Sequence, residues 1–133
     1  MATTTATLTI NSDINTDALA LTTTHTLNKA GTTIGLEQSS GLAKKIYAAA
    51  QSNTTLISAG DYADDTASRV YIKNTGSSST DYFTLTIASG NSVIGRLYGG
   101  DFLWIPYEGE EDLDITSTGT NMELEYMVIY QSA

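Results

Sequence analysis

Hydrophobic and polar positions alternate with a period of two along nearly the whole chain. In Thr3–Ile10, Ala6, Leu8 and Ile10 share one face while Thr5, Thr7 and Thr9 share the other. Leu19, Leu21, Thr23, His25 and Leu27 repeat the pattern one segment later. Alternation of this kind, rich in β-branched Thr, predicts half-buried strands. The later runs Arg69–Asn74, Asp81–Ala88, Val93–Leu97, Phe102–Tyr107, Leu113–Thr116 and Met122–Gln131 predict six more. Turn chemistry separates them, as in Asn28-Lys29-Ala30-Gly31, Gly76-Ser77-Ser78-Ser79, Ser89-Gly90-Asn91-Ser92, Gly99-Gly100 and Gly119-Thr120-Asn121. Short strands at this spacing predict an all-β fold, an antiparallel β-sandwich or barrel. Leu42–Gln51, Ala-rich after Ser39-Ser40-Gly41, reads equally well as a helix or a strand.

Side-chain size shifts along the chain. Of the eleven aromatic residues only Tyr47 lies in the first 60 positions, so the better core is expected in the C-terminal half. The lighter N-terminal part is expected to complete its burial against something else, with residues 1–12 as an extended strand or arm. At 133 residues the chain is long enough for one domain with an independent core, and it is read as one domain over 1–133.

Phe102–Tyr107 is apolar on both faces, with Phe102, Trp104 and Pro106 on one and Leu103, Ile105 and Tyr107 on the other. Such a strand is either central in a sandwich or turns one face to a partner, where Trp and Tyr are favoured anchors. Pro106 cannot donate to a ladder and argues for an edge. Leu8 and Ile10 in the first strand, with Trp104 and Tyr107 here, are the candidate partner-interface residues.

Charge narrows the partners. Fifteen acidic side chains against six basic give a net charge of −9, which opposes binding to nucleic acid or to an anionic membrane. No Lys or Arg follows Arg96, whereas eight acids do, so one part of the surface is expected to be strongly acidic. No run approaches the length of a membrane span, and the opening Met1-Ala2-Thr3-Thr4-Thr5 lacks the regions of a signal peptide. The chain has no Cys, which removes disulfides and thiolate metal sites.

Candidate chemistry is sparse. His25 is the sole imidazole and falls in line with Leu19, Leu21 and Leu27, which predicts a partly buried, hydrogen-bonded His rather than a general base without partners. No nucleophile elbow, phosphate loop or His/Cys cluster occurs, so no catalytic residue and no cofactor is expected. Glu108, Glu110, Glu111, Asp112 and Asp114 crowd one stretch and Asp61, Asp64 and Asp65 another. Neither has the spacing of a calcium loop, and both read as solvated turns with calcium as the lesser alternative. The two Thr-x-Thr tracts invite comparison with ice-ordering Thr ladders but lack the long stacked repeat, so they read as strand propensity.

Several segments together resemble small structural proteins of tailed bacteriophages, in particular the Thr- and Ala-rich head-decoration or cement proteins. The resemblance rests on Met1-Ala-Thr-Thr-Thr-Ala-Thr-Leu-Thr-Ile10, on Arg69-Val-Tyr-Ile-Lys-Asn-Thr-Gly76, on Gly95-Arg-Leu-Tyr-Gly-Gly-Asp-Phe-Leu-Trp-Ile-Pro106 and on Met122-Glu-Leu-Glu-Tyr-Met-Val128. It implies a jelly-roll-like β-sandwich, often a homotrimer, made in the host cytoplasm. Such a protein binds the outer surface of the head and clamps neighbouring major capsid protein subunits without catalysis. A tail or fibre component shares this style of sequence. A carbohydrate-binding β-sandwich module is the alternative from another class, with an enzyme built on the paired carboxylates a distant third.

Overall fold

The computed structural model describes residues 3–88 and 90–131 and is all-β over them. The first two residues, part of the expected arm, and Ser89, in an expected turn, lie outside the described residues. Eleven strands follow in order: β1 Thr5–Ser12, β2 Leu19–Thr26, β3 Gln38–Ser39, β4 Ala43–Tyr47, β5 Thr54–Ile57, β6 Ser68–Asn74, β7 Tyr82–Ile87, β8 Ser92–Tyr98, β9 Phe102–Tyr107, β10 Leu113–Ser117 and β11 Met122–Tyr130. β1 and β2 form a hairpin of their own, and the remaining strands form two antiparallel sheets packed face to face as a β-sandwich.

One sheet runs β5-β10-β7-β8 and the other β3-β11-β6-β9, with β4 also paired to β11. β3 and β4 lie end to end along the same edge of β11, opposite Ile129–Tyr130 and Met122–Tyr126 respectively. The break between them is bridged by Ser40. Its N–H donates to the Val128 carbonyl, and its hydroxyl accepts the Val128 N–H in place of a backbone carbonyl, both at 2.9 Å. The ambiguous segment Leu42–Gln51 is therefore a strand at its centre. Its pairing with β11, which sets Lys44 opposite Glu125, overrides the local preference of Ala-rich sequence for helix.

The period of two decides what enters the core. In β6, Ser68, Val70, Ile72 and Asn74 are buried while Arg69, Tyr71 and Lys73 point outward. Phe83 and Leu85 of β7, Leu113 and Ile115 of β10, and Leu124 and Val128 of β11 meet them between the sheets. Ser68, Asn74 and Ser117, buried in the sandwich, find partners for their side chains and so avoid an uncompensated desolvation cost, whereas Thr86 Oγ1 and Asp114 Oδ1 have none among the described residues. Asn74 donates from Nδ2 to the Leu97 carbonyl at 2.9 Å, linking the sheets, and accepts the Gly76 N–H at 2.9 Å.

β9 is an edge strand, paired to β6 alone. That decides against the central reading of Phe102–Tyr107. It is not central; Leu103, Ile105 and Tyr107 pack toward the core, and Phe102, Trp104 and Pro106 face outward. Pro106 sits opposite Arg69 without a ladder to disrupt on its far side.

Candidate functional site

The N-terminal hairpin is the feature that sequence alternation built most plainly. β1 and β2 pair in unbroken register from Thr5↔Thr26 to Ser12↔Leu19. One face carries the cross-strand pairs Thr5↔Thr26, Thr7↔Thr24 and Thr9↔Thr22, with the Thr7 and Thr24 hydroxyls 3.0 Å apart in a hydrogen bond. The other carries Ala6 opposite His25, Leu8 opposite Thr23 and Ile10 opposite Leu21. This apolar face is not buried: Leu8 is 41% exposed, Ile10 47%, Leu19 48% and Leu21 50%.

The hairpin joins the sandwich through a small separate cluster. Leu27 and Leu36 are buried with Ile129 on the outer face of β11, and Met127 packs against them. Backbone bonds fix this junction, from Leu27 N–H to the Thr4 carbonyl at 2.9 Å and from Leu36 N–H to the Leu27 carbonyl at 3.0 Å. An ion pair between Lys29 Nζ and Glu37 Oε1, at 2.6 Å, clasps the connecting segment.

Between hairpin and sandwich lies an open cleft of about 710 Å3. Its roof is the basal half of the hairpin, with Ala6, Leu8, Thr23 and His25. Its floor is the outer face of the five-stranded sheet, where antiparallel register aligns Met127, Tyr71 and Trp104 in one row across β11, β6 and β9. Phe102 stands beside Trp104 on the same face, 58% exposed against 36% for the indole. The lining is mostly apolar, and Tyr71, Glu125 and Arg69 within it are engaged in hydrogen bonds. The Tyr71 hydroxyl donates to Glu125 Oε1 at 2.7 Å, and Arg69 Nη1 donates to the carbonyls of Ala67 and Ser68 at 3.0 and 3.1 Å. Burial, reinforced by the bond to Glu125 and that carboxylate's charge, pushes the Tyr71 phenol up to about 12.

His25 differs from expectation. It is exposed on the hairpin rather than partly buried, and among the described residues no hydrogen bond to its ring is found, because the hairpin stands clear of the sandwich instead of packing on it. Tyr107 also differs from the other three candidate anchors. It is only 8% exposed, packs edge-on to Tyr62 at 6.2 Å, and donates its hydroxyl to the Glu111 carbonyl at 2.9 Å. It points into the core from the face of β9 opposite Trp104, as the period of two requires. Leu8 and Trp104 line the cleft and Ile10 lies beyond its rim. Tyr71, Phe102, Leu19 and Leu21 complete this surface, and the alternation that placed Leu8 and Trp104 carried the signal for them too.

The two acidic stretches are brought together elsewhere. Gly60 N–H donates to the Gly109 carbonyl at 3.3 Å, and Gly109, at φ +91°, passes so close to the Tyr62 and Ala63 carbonyls that a Cβ there would lie within 2.8 Å of both. Glu108, Glu110 and Glu111 are exposed, and Asp112 accepts the Ala59 N–H at 2.6 Å. The Glu108 carboxyl is held above its ordinary range, first by hydrogen bonding with Glu110 and then by the charge of that neighbour. Asp114 is buried, with Oδ1 lacking a partner. Among the described residues no group of three or more His, Asp or Glu is arranged to hold a metal ion.

Charge is segregated by this arrangement. The hairpin, the segment after it and the outward positions of β6 and β11 hold five bases, Lys29, Lys44, Lys45, Arg69 and Lys73. Against them stand five acids, Asp13, Asp17, Glu37, Glu123 and Glu125. Taken together these segments are electrically balanced, although the hairpin itself holds Asp13 and Asp17 and no Lys or Arg. The remainder has Arg96 as its one base and carries the entire net charge of −9.

No family model matches the chain, and no curated protein or solved structure matches it.

Proposed function

We propose that the chain is a non-enzymatic structural protein of a bacteriophage particle, of the head-decoration type. In this reading it is made in the host cytoplasm, binds the outer surface of the head and holds neighbouring major capsid protein subunits together. The observation that carries the proposal is the hairpin's uncovered apolar face, with Leu8, Ile10, Leu19 and Leu21 each 41–50% exposed on an element that pairs with no other strand. An exposed apolar surface of this kind is a site of protein association. Phe102 and Trp104 extend the same surface onto the sandwich, as aromatic anchors do in protein interfaces.

The strand order supports a jelly roll within this reading. Counting the β3–β4 edge as the first strand of the sandwich, β11 lies between it and β6, and β10 lies between β5 and β7, the interleaving of two Greek keys. The acidic remainder of the surface then faces solvent and repels nucleic acid and anionic envelopes. Many copies, each burying roughly the 800 Å2 per partner of a standard interface, sum to a large stabilisation of the shell.

Removing residues 1–12, and with them β1, tests the proposal. Cosedimentation with heads lacking their decoration protein should weaken at least about tenfold, while the melting temperature of the sandwich changes little. Unchanged binding contradicts it. A second reading is favoured by one feature: Trp104, Tyr71 and Phe102 line a cleft beside Arg69 and Glu125, side chains that stack on and hydrogen-bond to sugar rings. Binding on a glycan array, with none to heads, selects that reading or a host-contacting tail component.

A further inference from the structure

We infer that the open cleft is a binding site for a small carboxylic acid with a flat apolar body. The body stacks on Trp104 and Tyr71 beneath the hairpin, and the carboxylate pairs with Arg69. This goes beyond the assembly reading and leaves it intact, because Ile10, Leu19 and Leu21 at the distal end of the hairpin lie outside the cleft.

Size and lining indicate a small molecule. A volume of about 710 Å3 falls within the roughly 300–1,000 Å3 of ligand sites, which are mostly apolar with a few placed polar groups. On the floor, Met127, Tyr71 and Trp104 are direct partners across β11, β6 and β9. That row spans two strand spacings, about 10 Å, long enough for two linked or fused rings. Ala6 and Leu8 line the opposite wall, on the hairpin. A flat body inserted between these walls buries both of its faces, and the partly exposed indole gains a stacking partner.

Arg69 selects the charge. A guanidinium presents N–H donors on Nη1, Nη2 and Nε. Here Nη1 donates to the carbonyls of Ala67 and Ser68, at 3.0 and 3.1 Å. Among the described residues Nε and Nη2 make no hydrogen bond and Arg69 forms no ion pair. The edge they form matches a carboxylate in a bidentate pair, and anchoring through Nη1 fixes that edge before a ligand arrives. Covering these donors with an apolar group would leave them unsatisfied, whereas a carboxylate satisfies them. Register places Arg69 opposite Pro106, two residues along β9 from Trp104. Arg69 and Trp104 are thus diagonal neighbours on the cleft face, roughly 7–8 Å apart, a separation bridged by a ring, a short link and its carboxylate.

The surrounding charge admits an anion although the whole molecule carries −9. The outward positions of β4, β6 and β11 hold Lys44, Arg69 and Lys73 against Glu123 and Glu125. Glu125, the one acid lining the cleft among the described residues, lies opposite both Lys44 and Lys73 and accepts the Tyr71 hydroxyl at 2.7 Å. That bond and those two bases answer its charge. Arg69 is the cation left for a ligand.

Trp104 is the chain's sole tryptophan, so its fluorescence reports on the floor directly. The full chain is titrated with biphenylacetate and with its neutral amide, following Trp104 emission and, independently, the heat of binding. The acid should bind saturably with a dissociation constant below about 1 mM and shift the emission. The amide should bind at least about tenfold more weakly. Arg69→Met should bring the two ligands to equal affinity. Trp104→Leu, read by heat, should weaken both alike and preserve their ratio, which keeps the stacking testable even if Arg69→Met disturbs β6. Arg96→Met, which removes the same charge from β8, should change neither. Absence of binding, equal affinity for acid and amide, or a preference that survives Arg69→Met overturns the inference. Displacement of the acid by methyl glucoside, a neutral sugar, would assign the cleft to glycans and likewise overturns it.

Discussion

Two tyrosines report on opposite faces of the β3-β11-β6-β9 sheet. Tyr107 is buried in the core, and that burial, with the charges of Asp112 and more distant neighbours, pushes its phenol up to about 12. Tyr71 reaches about 12 on the cleft floor, through burial and its bond to Glu125. The neutral phenol is the form the fold favours in both. Their contribution to stability is therefore complete below the ordinary phenol value of 10 and is lost as pH rises through about 12. Absorbance titration should show these two phenols ionising only as the fold is lost. Tyr71→Phe should remove one of the late-titrating groups. Eight tyrosines ionising together near 10 would contradict these placements.

At the scale of elements, the hairpin and the sandwich are held by different clusters. The inter-sheet core contains no residue of β1 or β2, and the hairpin is anchored by Leu27, Leu36 and Ile129. Leu27→Ala should therefore loosen the arm while lowering global stability by less than about 1 kcal/mol, because the small cluster lies outside the cooperative core. Phe83→Ala, at a fully buried core position, should cost about 3–5 kcal/mol. Denaturant unfolding measures both, and proteolysis within residues 5–26 reads the first. Equal losses would mean that arm and sandwich fold as one unit.

The same scale shows what the sequence made legible. β6, β7, β8, β9, β10 and β11 all lie where alternation predicted strands, and β1 and β2 follow the two Thr-rich tracts. β3 and β5, of two and four residues, are too short for a period of two to register, and they exist because β11 and β10 offer edges to pair with. β4 was ambiguous because Ala and Lys favour helix locally while its partner strand is distant in sequence. Of the candidate surface, Leu8, Ile10 and Trp104 were readable, because alternation marks a face as apolar. Alternation does not mark which apolar face remains uncovered. Tyr107 and His25 were misplaced for that reason, one turning to the core and the other to solvent.

For the whole molecule, segregation of charge and of exposed apolar surface converge on one side. The balanced side bears the hairpin, the cleft and the aromatic platform, while the rest carries the net charge of −9. In the proposed function the side with the hairpin and cleft meets the partner and the other faces water. Amide hydrogen exchange of the full chain, free and bound to undecorated heads, tests that claim most directly. The account predicts new protection over residues 5–26 and β9, with the β5-β10-β7-β8 sheet unchanged. Protection confined to that sheet, with the hairpin exchanging as in the free chain, would contradict it.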